Sequence, residues 1–280
     1  MSEAAPLRVP GDIPYLGFMT VREHYDNHLG NFYAWMVGDF AGRQQAFQDF
    51  LVDHQIVPVS TGIALDLGAG HGLQAVSLAR QGFAVTAIDF NDQLLQALAH
   101  NTQGLTVGIV KEDLRQVHRF AHLQPELIIC WGDTLTHLDS CDDITTLLQS
   151  ACSMLVPGGL LMLSFRDYTT PLTGDSRFIP VKSDDTRILT CVLDYEPETV
   201  RVTDLLHTKT TEGWQQQVSS YQKVRISPAE VVAALEGNQM AIRLHETIHR
   251  MATIIAVKLG VTNNSAQIGG MIDLTQVLGQ

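Results

Sequence analysis

Cysteine and basic residues are scarce in this 280-residue sequence. The cysteines Cys130, Cys141, Cys152 and Cys191 include no Cys-x-x-Cys pair, so we expect no zinc site and no disulfide framework and interpret all four as buried thiols. Aspartate and glutamate number 30 against 18 lysines and arginines, which gives a formal net charge of −12. Because no basic cluster offsets this charge, binding to a phosphate backbone is disfavoured.

Long apolar runs are also lacking. None approaches the roughly 20 residues that a membrane-spanning helix needs, and residues 1–10 lack the basic and apolar blocks of a signal peptide. We therefore expect a cytoplasmic protein with no membrane partner. A composition of 45% hydrophobic and 17% charged residues is typical of a globular chain, and the length suits one domain, alone or with an insertion.

Strand-like and helix-like segments alternate in the middle of the chain. Short apolar runs predict buried strands, and the amphipathic stretches between them predict helices. The predicted strands are 63–67, 84–89, 105–110, 127–131 and 160–165, and the predicted helices are 71–81, 92–100 and 142–155. This alternation predicts an α/β fold in which helices cover both faces of a parallel sheet.

The pattern differs on both sides of this region. Apolar residues at helical spacing predict helical structure over residues 20–55. Period-two alternation over 187–195, 200–208 and 214–225 predicts an antiparallel β meander, inserted late in the α/β domain. A helix over 228–235 with a capping box and a last strand over 251–259 are predicted after it.

These patterns divide the chain into three parts. Residues 1–57 are predicted to form an N-terminal helical lid, after an irregular lead. Residues 58–260 are predicted to form the main domain, with the β insertion at about 170–225. Residues 261–280, which are small and polar, are predicted to be a loose tail.

The strongest local motif is a glycine-rich loop that follows the first predicted strand. This loop contains Gly68, Ala69 and Gly70. Glycines there allow the backbone to turn sharply and to approach a ligand. The spacing Gly-x-Gly-x-Gly differs from the Gly-x-Gly-x-x-Gly of dinucleotide-binding folds, so an NAD-dependent dehydrogenase is disfavoured. Asp66, just before the loop, would repel a pyrophosphate but suits an ammonium group. The alternative is a glycine turn that binds nothing.

Acidic residues follow the next two predicted strands. Asp89, 23 positions beyond Asp66, is suited to accept hydrogen bonds from two ribose hydroxyls, and Phe90 beside it could pack on an adenine. After the third strand, a carboxylate of Glu112 or Asp113 could accept the adenine amino proton, while Leu114 offers its backbone N–H. Taken alone, that acidic pair is more typical of a solvated loop.

These acids, the glycine loop and a Leu-Val-Pro-Gly-Gly stretch at 155–159 together resemble class I S-adenosylmethionine-dependent methyltransferases over about residues 60–165. The resemblance implies a Rossmann-like, doubly wound, mostly parallel seven-stranded sheet. It implies S-adenosylmethionine as cofactor and S-adenosylhomocysteine as product. Residues 128–138, 164–168, 181–184 and 218–221 further resemble glycine N-methyltransferases.

The closer resemblance implies roles at two strand ends. The arginine after strand five holds the substrate carboxylate in that family, which implies Arg166 as an anion clamp. The alternative is an arginine paired with a neighbour such as Asp167. Asp133 stands where the family has asparagine, and Phe165 replaces its histidine, so a carboxylate at 133 would repel an acid or bind a cationic amine. Trp131 is assigned to the cofactor site.

The polar and aromatic segment 22–28 precedes the first strand and is predicted to close over the site, excluding water. Tyr25 could hydrogen-bond the methionine end of the cofactor. A neutral amine acceptor needs no strong base, whereas a hydroxyl or carbon acceptor would, and His24, His28 and His137 are the candidates. Each is alternatively a surface or capping residue.

We thus expect an enzyme that methylates the nitrogen of a small amino acid or amine. Methylation of oxygen, sulfur or carbon in a small natural-product intermediate, and a non-catalytic cofactor-binding module, are the alternatives. The expected partner is a small-molecule methyl acceptor, with no nucleic acid and no metal. Homo-oligomerisation is left open.

Overall fold

The computed structural model describes residues 19–260, so the lead and the tail expected at the two ends lie outside the described residues. The strands are β1 Ile63–Leu67, β2 Ala84–Asp89, β3 Val107–Lys111, β4 Leu127–Cys130, β5 Leu160–Phe165, β6 Phe178–Ser183, β7 Arg187–Tyr195, β8 Thr199–Thr210, β9 Gly213–Val224, β10 Met240–Ile248 and β11 Met251–Lys258. The α-helices are α1 Val21–Asn27, α2 Tyr33–Val37, α3 Phe40–Asp53, α4 Leu73–Arg80, α5 Asp92–Asn101, α6 Cys141–Met154 and α7 Pro228–Gly237.

The larger sheet has seven strands in the order β10-β11-β5-β4-β1-β2-β3. Strands β1 to β5 pair in parallel, β11 runs antiparallel to β5, and β10 runs antiparallel to β11. The predicted doubly wound, mostly parallel fold is thereby confirmed. Because the carboxyl ends of parallel strands meet at one edge, the residues that follow β1, β2, β4 and β5 are brought together there.

Both faces of this sheet are covered, which explains the apolar strand sequences. Leu65 and Leu67 of β1 pack in a core with Ile144 and Leu148 of α6. Ala64, whose side chain points to the opposite face of the sheet, packs in a second core beneath α3 and α4. Asp66 points to the same side as Ala64, which places a carboxylate within an apolar layer.

The insertion forms a separate antiparallel sheet in the order β6-β7-β8-β9. The three predicted strands are confirmed, and β6 precedes them as an edge strand. The sequence pattern does not predict β6, because this strand contains Pro180 and is largely exposed and so lacks the alternating pattern. It also missed β10, the seventh strand of the main sheet, which alternates only weakly at the sheet edge.

The N-terminal segment is helical, but not continuously as predicted. A 3-10 turn over Leu29–Asn31 separates α1 from α2, and α2 ends at Val37, because the φ of +81° at Gly38 interrupts the helix. Leu29 and Phe32 pack against Leu189 and Leu206 of the inserted sheet. The N-terminal segment therefore rests on the insertion, beside the carboxyl edge of the main sheet.

The cysteines differ in their burial. Cys130 and Cys152 are buried and Cys191 is partly buried, but Cys141 is exposed because it is the first residue of α6 after the cap Ser140. The predicted capping box at Ser227 and Glu230 is confirmed. Within residues 19–260, no helix is long and apolar enough to cross a bilayer, and no group of three potential ligands is arranged for a metal ion.

Candidate active site

A cavity of about 1150 Å³ lies at the carboxyl edge of the parallel strands, between the main sheet, the insertion and the N-terminal segment. We call the part lined by Gly68, Gly70 and Asp89 the cofactor end. The part lined by Asp133, Arg166, Tyr168, Asp204, Tyr221 and Lys223 is called the acceptor end. The volume exceeds the usual range for one small ligand, about 300–1,000 Å³, so two molecules can share this space.

The glycine loop forms one wall of the cofactor end. The backbone N–H groups of Gly68 and Ala69 donate to the carbonyl oxygen of Ile88, at 2.9 and 3.0 Å, which ties the loop to β2. Gly68 has a φ of +72°, and a Cβ there would collide with the side chain of Thr134. Only glycine fits this turn, so the backbone itself faces the cavity.

Asp89 lines the cofactor end of the cavity. Its Oδ2 accepts the N–H of Gly70 at 2.8 Å, and its Oδ1 accepts the N–H of Asn91 at 2.9 Å. Burial raises the pKa of Asp89 above its usual value, against the effect of these hydrogen bonds. The carboxylate is thus held in one orientation, and each oxygen retains acceptor capacity toward the cavity.

Asp66 lies behind the loop rather than in the cavity wall. It is 1% exposed, and its Oδ2 has no hydrogen-bond partner. Burial, followed by the charge of Asp89, raises the pKa of Asp66 to about 7. An unpaired buried carboxyl oxygen next to a glycine loop fits a cationic group on the other side, as the ammonium group of S-adenosylmethionine would supply.

The opposite side of the cofactor end is aromatic and charged. The guanidinium of Arg22 lies 4.7 Å above the ring of Phe90. Asp113 pairs with Arg115 at 2.7 Å, and Leu114 lines the cavity.

Glu112 does not line the main cavity. Its carboxylate accepts a hydrogen bond from Arg119 at 2.5 Å and borders a side pocket of about 210 Å³. Trp131 lines the cavity and packs on Phe47 and Phe50.

At the acceptor end, Asp133 is saturated by the protein itself. Its Oδ1 accepts the N–H of Arg166 and the hydroxyl of Thr136, both at 2.9 Å. Its Oδ2 accepts the hydroxyl of Tyr168 at 2.9 Å and the ammonium of Lys223 at 2.5 Å. Burial alone would raise the pKa of Asp133, but Lys223, His137 and these hydrogen bonds lower it. Asp133 therefore organises the other groups and has little capacity left for a ligand.

Arg166 is the half-exposed cation of this end. Its side chain is 48% exposed, and its Nε lies 3.8 Å from Oδ2 of Asp133, beyond hydrogen-bond range. Asp167, its sequence neighbour, instead accepts from Thr169. Among the described residues, the guanidinium makes no hydrogen bond that would keep it from an anionic ligand in the cavity.

The three candidate histidines have different surroundings. His24 is fully buried, with Nδ1 2.8 Å from Oγ of Ser219 and Nε2 3.3 Å from Oδ2 of Asp204. His28 does not line the cavity, and burial together with nearby His24 lowers its pKa to about 4. His137 does line the cavity, and its Nε2 has no partner. Burial lowers the pKa of His137 well below its usual value.

Side chains of the N-terminal segment close one side of the cavity. Arg22, Tyr25 and Tyr33 line it. Burial, and then the charges of Tyr33, Asp89, Asp133 and Asp204, raise the pKa of Tyr25. The Tyr25 ring lies 5.6 Å from the ring of Phe90 and 5.7 Å from that of His137, between the two ends. Further along, Trp35 donates to Asp184 of the insertion at 2.5 Å.

The sequence analysis missed Lys223 and Asp204, and gave no role to Tyr168 and Tyr221. The sequence does contain a signal for them. Asp204 and Lys223 occupy positions of the meander that alternate with apolar residues on the same face, such as Val202 and Leu206 on β8. A charged residue at such a position is buried on the inner face of a sheet, where it needs a partner or a ligand.

Comparisons with known proteins agree with this geometry. Residues 64–159 match the family model described as a methyltransferase domain. Two curated relatives are a glycine/sarcosine/dimethylglycine N-methyltransferase of Actinopolyspora halophila, 31% identical over 48% of this chain, and a glycine/sarcosine N-methyltransferase of Halorhodospira halochloris, 31% identical over 46%. The matches cover 24% and 49% of those relatives, so the chain spans half or less of their lengths.

Solved structures are similar over most of the chain. The CcbJ methyltransferase from Streptomyces caelestis has a TM-score of 0.67 and 17% identity, covering 84% of this chain and 98% of that one. The sugar N-methyltransferase KedS8 from a Streptoalloteichus species has a TM-score of 0.62 and 14% identity, covering 93% and 100%. At these identities the likeness establishes the shared fold.

Proposed function

Because residues 64–159 carry a class I S-adenosylmethionine-dependent methyltransferase domain, we propose that the chain methylates the nitrogen of a small, amino-acid-like amine. The main support is the cavity that joins the glycine loop to the acceptor end, where the guanidinium of Arg166 is half exposed. One molecule at each end would meet near Tyr25. The curated relatives named for glycine and sarcosine support the acceptor class.

The chain's own residues fit the cofactor at one end. Gly68 and Gly70 let the backbone approach it, Asp89 would accept its ribose hydroxyls, and Asp66 would balance its ammonium charge. Phe90 and Leu114 would border its adenine. When bound, S-adenosylmethionine supplies a sulfonium methyl group, which is transferred to the acceptor and leaves S-adenosylhomocysteine.

At the other end, Arg166 would hold the carboxylate of the acceptor with two parallel hydrogen bonds. Lys223, whose charge is balanced by Asp133, lines the same end of the cavity. The N-terminal segment would exclude water, since its aromatic side chains cover the space between the two ends. Positioning and dehydration of the reacting pair are the contributions that methyl transfer needs from the protein.

A second candidate function is methylation of a hydroxyl group, and His137 favours it. Its imidazole lines the cavity, its Nε2 has no partner, and its lowered pKa keeps it neutral near pH 7. A neutral imidazole can accept the proton that a hydroxyl must release on attack.

A methyl-transfer assay with isotope-labelled S-adenosylmethionine distinguishes the two. The acceptor panel pairs each amine with its hydroxy analogue: glycine with glycolate, alanine with lactate, and sarcosine. We expect label in the amines only. Arg166→Ala should raise the amine KM at least tenfold, with cofactor Kd unchanged. Arg177→Ala, whose side chain pairs with Asp194 outside the cavity, is the matched control. Label in the hydroxy acids, or in neither series, would contradict the proposal.

A further inference from the structure

Asp204 is a buried carboxylate of the inserted sheet that lines the acceptor end. It is 3% exposed and lies on the inner face of β8, between Val202 and Leu206. Such an apolar position is costly for a charge unless a partner compensates it. Asp133, which the sequence offers as a carboxylate to repel an acid or bind a cationic amine, has its oxygens occupied by four donors of the chain.

We propose that Asp204 binds the amine of the methyl acceptor, opposite the cationic pair Arg166 and Lys223, and so makes the site selective for zwitterions. The inference rests on the proposed function and names the residue that recognises its amine. An acceptor with a carboxylate at one end and an ammonium or amine N–H at the other would match both charges.

Elimination among the carboxylates that line the cavity supports this assignment. Asp89 is held by two backbone N–H groups at the cofactor end, Asp113 and Asp139 pair with Arg115, and Asp167 is exposed and bonded to Thr169. Asp204 instead faces Cys191, whose thiol lies 2.9 Å from Oδ1, and His24. A thiol is a weak donor, so Oδ1 keeps its capacity for a strong one.

His24 orients the carboxylate of Asp204. Nδ1 of its imidazole lies 2.8 Å from Oγ of Ser219, and Nε2 lies 3.3 Å from Oδ2 of Asp204. The stacked ring of Tyr221, with centroids 4.0 Å apart, holds the imidazole in place. Burial alone would raise the pKa of Asp204, but His24 and the hydrogen bond from the Cys191 thiol lower it, so the carboxylate stays ionised.

Tyr221 connects Asp204 with the other side chains of the acceptor end. Its ring stacks on His24, which contacts Asp204, and the ammonium of Lys223 lies 5.9 Å from its centroid. The His137 ring lies 5.7 Å from the rings of both Tyr221 and Tyr25. Asp204 thus belongs to the same cluster of side chains as Lys223 and Tyr25.

The test uses two probes that differ only in the amine: sarcosine, and methoxyacetate, in which an ether oxygen replaces the NH2+ group. Calorimetry on the complex with S-adenosylhomocysteine should show sarcosine binding at least about tenfold tighter than methoxyacetate, the scale of one charge-assisted hydrogen bond. In Asp204→Asn the preference should fall to roughly equal binding. The sarcosine KM should rise at least about tenfold, with kcat changed less and the Kd of S-adenosylmethionine unchanged.

Asp194→Asn is the matched control, because Asp194 is on β7 of the same sheet and does not line the cavity. Equal binding of the two probes by the wild-type protein overturns the inference even if the variant fails to fold. An unchanged preference in a folded Asp204→Asn variant also overturns it. Failure of the wild-type protein to bind or methylate sarcosine, with S-adenosylhomocysteine bound normally, overturns the proposed acceptor class instead.

Discussion

The ammonium of Lys223 lies 2.5 Å from Oδ2 of Asp133, although the two residues are 90 positions apart in the chain. Both side chains are nearly fully buried, at 8% and 6% exposure. Lys223 belongs to the inserted sheet and Asp133 follows β4, so this ion pair joins the insertion to the main sheet directly at the acceptor end.

Removing the cation alone should destabilise the fold. Lys223→Met leaves the buried Asp133 carboxylate without its main partner, and the free energy of unfolding should fall by about 3–5 kcal/mol. The double variant Lys223→Met with Asp133→Asn should recover much of the loss, because no unpaired charge remains. Urea denaturation of the single and double variants measures both values. Lys209→Met, at an exposed position of β8, is the control. A loss below 1 kcal/mol in Lys223→Met would refute the structural role.

Asp89 should control cofactor affinity. Asp89→Ala removes a carboxylate that lines the cofactor end and also frees the N–H groups of Gly70 and Asn91. We expect binding of S-adenosylhomocysteine to weaken by about 1.5–3 kcal/mol, as for hydrogen bonds to charged groups. Titration calorimetry measures this, with Asp92→Ala, which loses an exposed pair with Lys111, as the control. Unchanged affinity in Asp89→Ala would remove this residue from the cofactor site.

The pH dependence of stability should reveal Asp66. Its pKa is raised from 3.8 to about 7 in the folded protein, so the folded state binds this proton more tightly than the unfolded state. The contribution of Asp66 to stability is therefore complete below pH 4 and is lost as the pH rises to 7. Asp66→Asn should abolish this decline, which amounts to a few kcal/mol at about 1.4 kcal/mol per pH unit.

Chemical denaturation at several pH values between 4 and 8 measures this difference. Asp53→Asn, at the exposed end of α3, should follow the wild-type profile. Parallel profiles for wild-type protein and Asp66→Asn would show that the buried carboxyl group does not titrate in this range.

The N-terminal segment should be needed for turnover. Deleting residues 1–35 removes Tyr25 and Tyr33 from the cavity wall, while strands β1 to β5 and helix α3 stay intact. We expect retained circular dichroism, cofactor binding that is weaker but measurable, and little methyl transfer, because water enters the site. Leu29→Ala, which loosens the contact with Leu189 and Leu206, should fall between the deletion and the wild-type protein. Full turnover in the deletion would exclude a role as a lid.

The sequence by itself determined the five parallel strands and the position of the glycine loop at their carboxyl edge. Buried parallel strands and the helices between them leave local periodic patterns, and the glycine loop with Asp89 lies within 22 consecutive residues, so the order of these elements could be predicted. The capping box at Ser227 is equally local. The sequence pattern did not predict the interruption of the N-terminal helix at Gly38, because the apolar spacing on either side is compatible with one long helix.

Only the tertiary structure decided the acceptor end. Asp133 is a candidate ligand in the sequence, but Lys223 and Tyr168 from distant segments occupy its oxygens. Of the three candidate histidines, His24 contacts Ser219 and Asp204 but does not itself line the cavity and His28 is also outside it, which leaves His137 at the cavity wall. The physical reason is that hydrogen bonding and burial of a side chain depend on which remote strands pack against it, and local sequence periodicity does not encode those pairings.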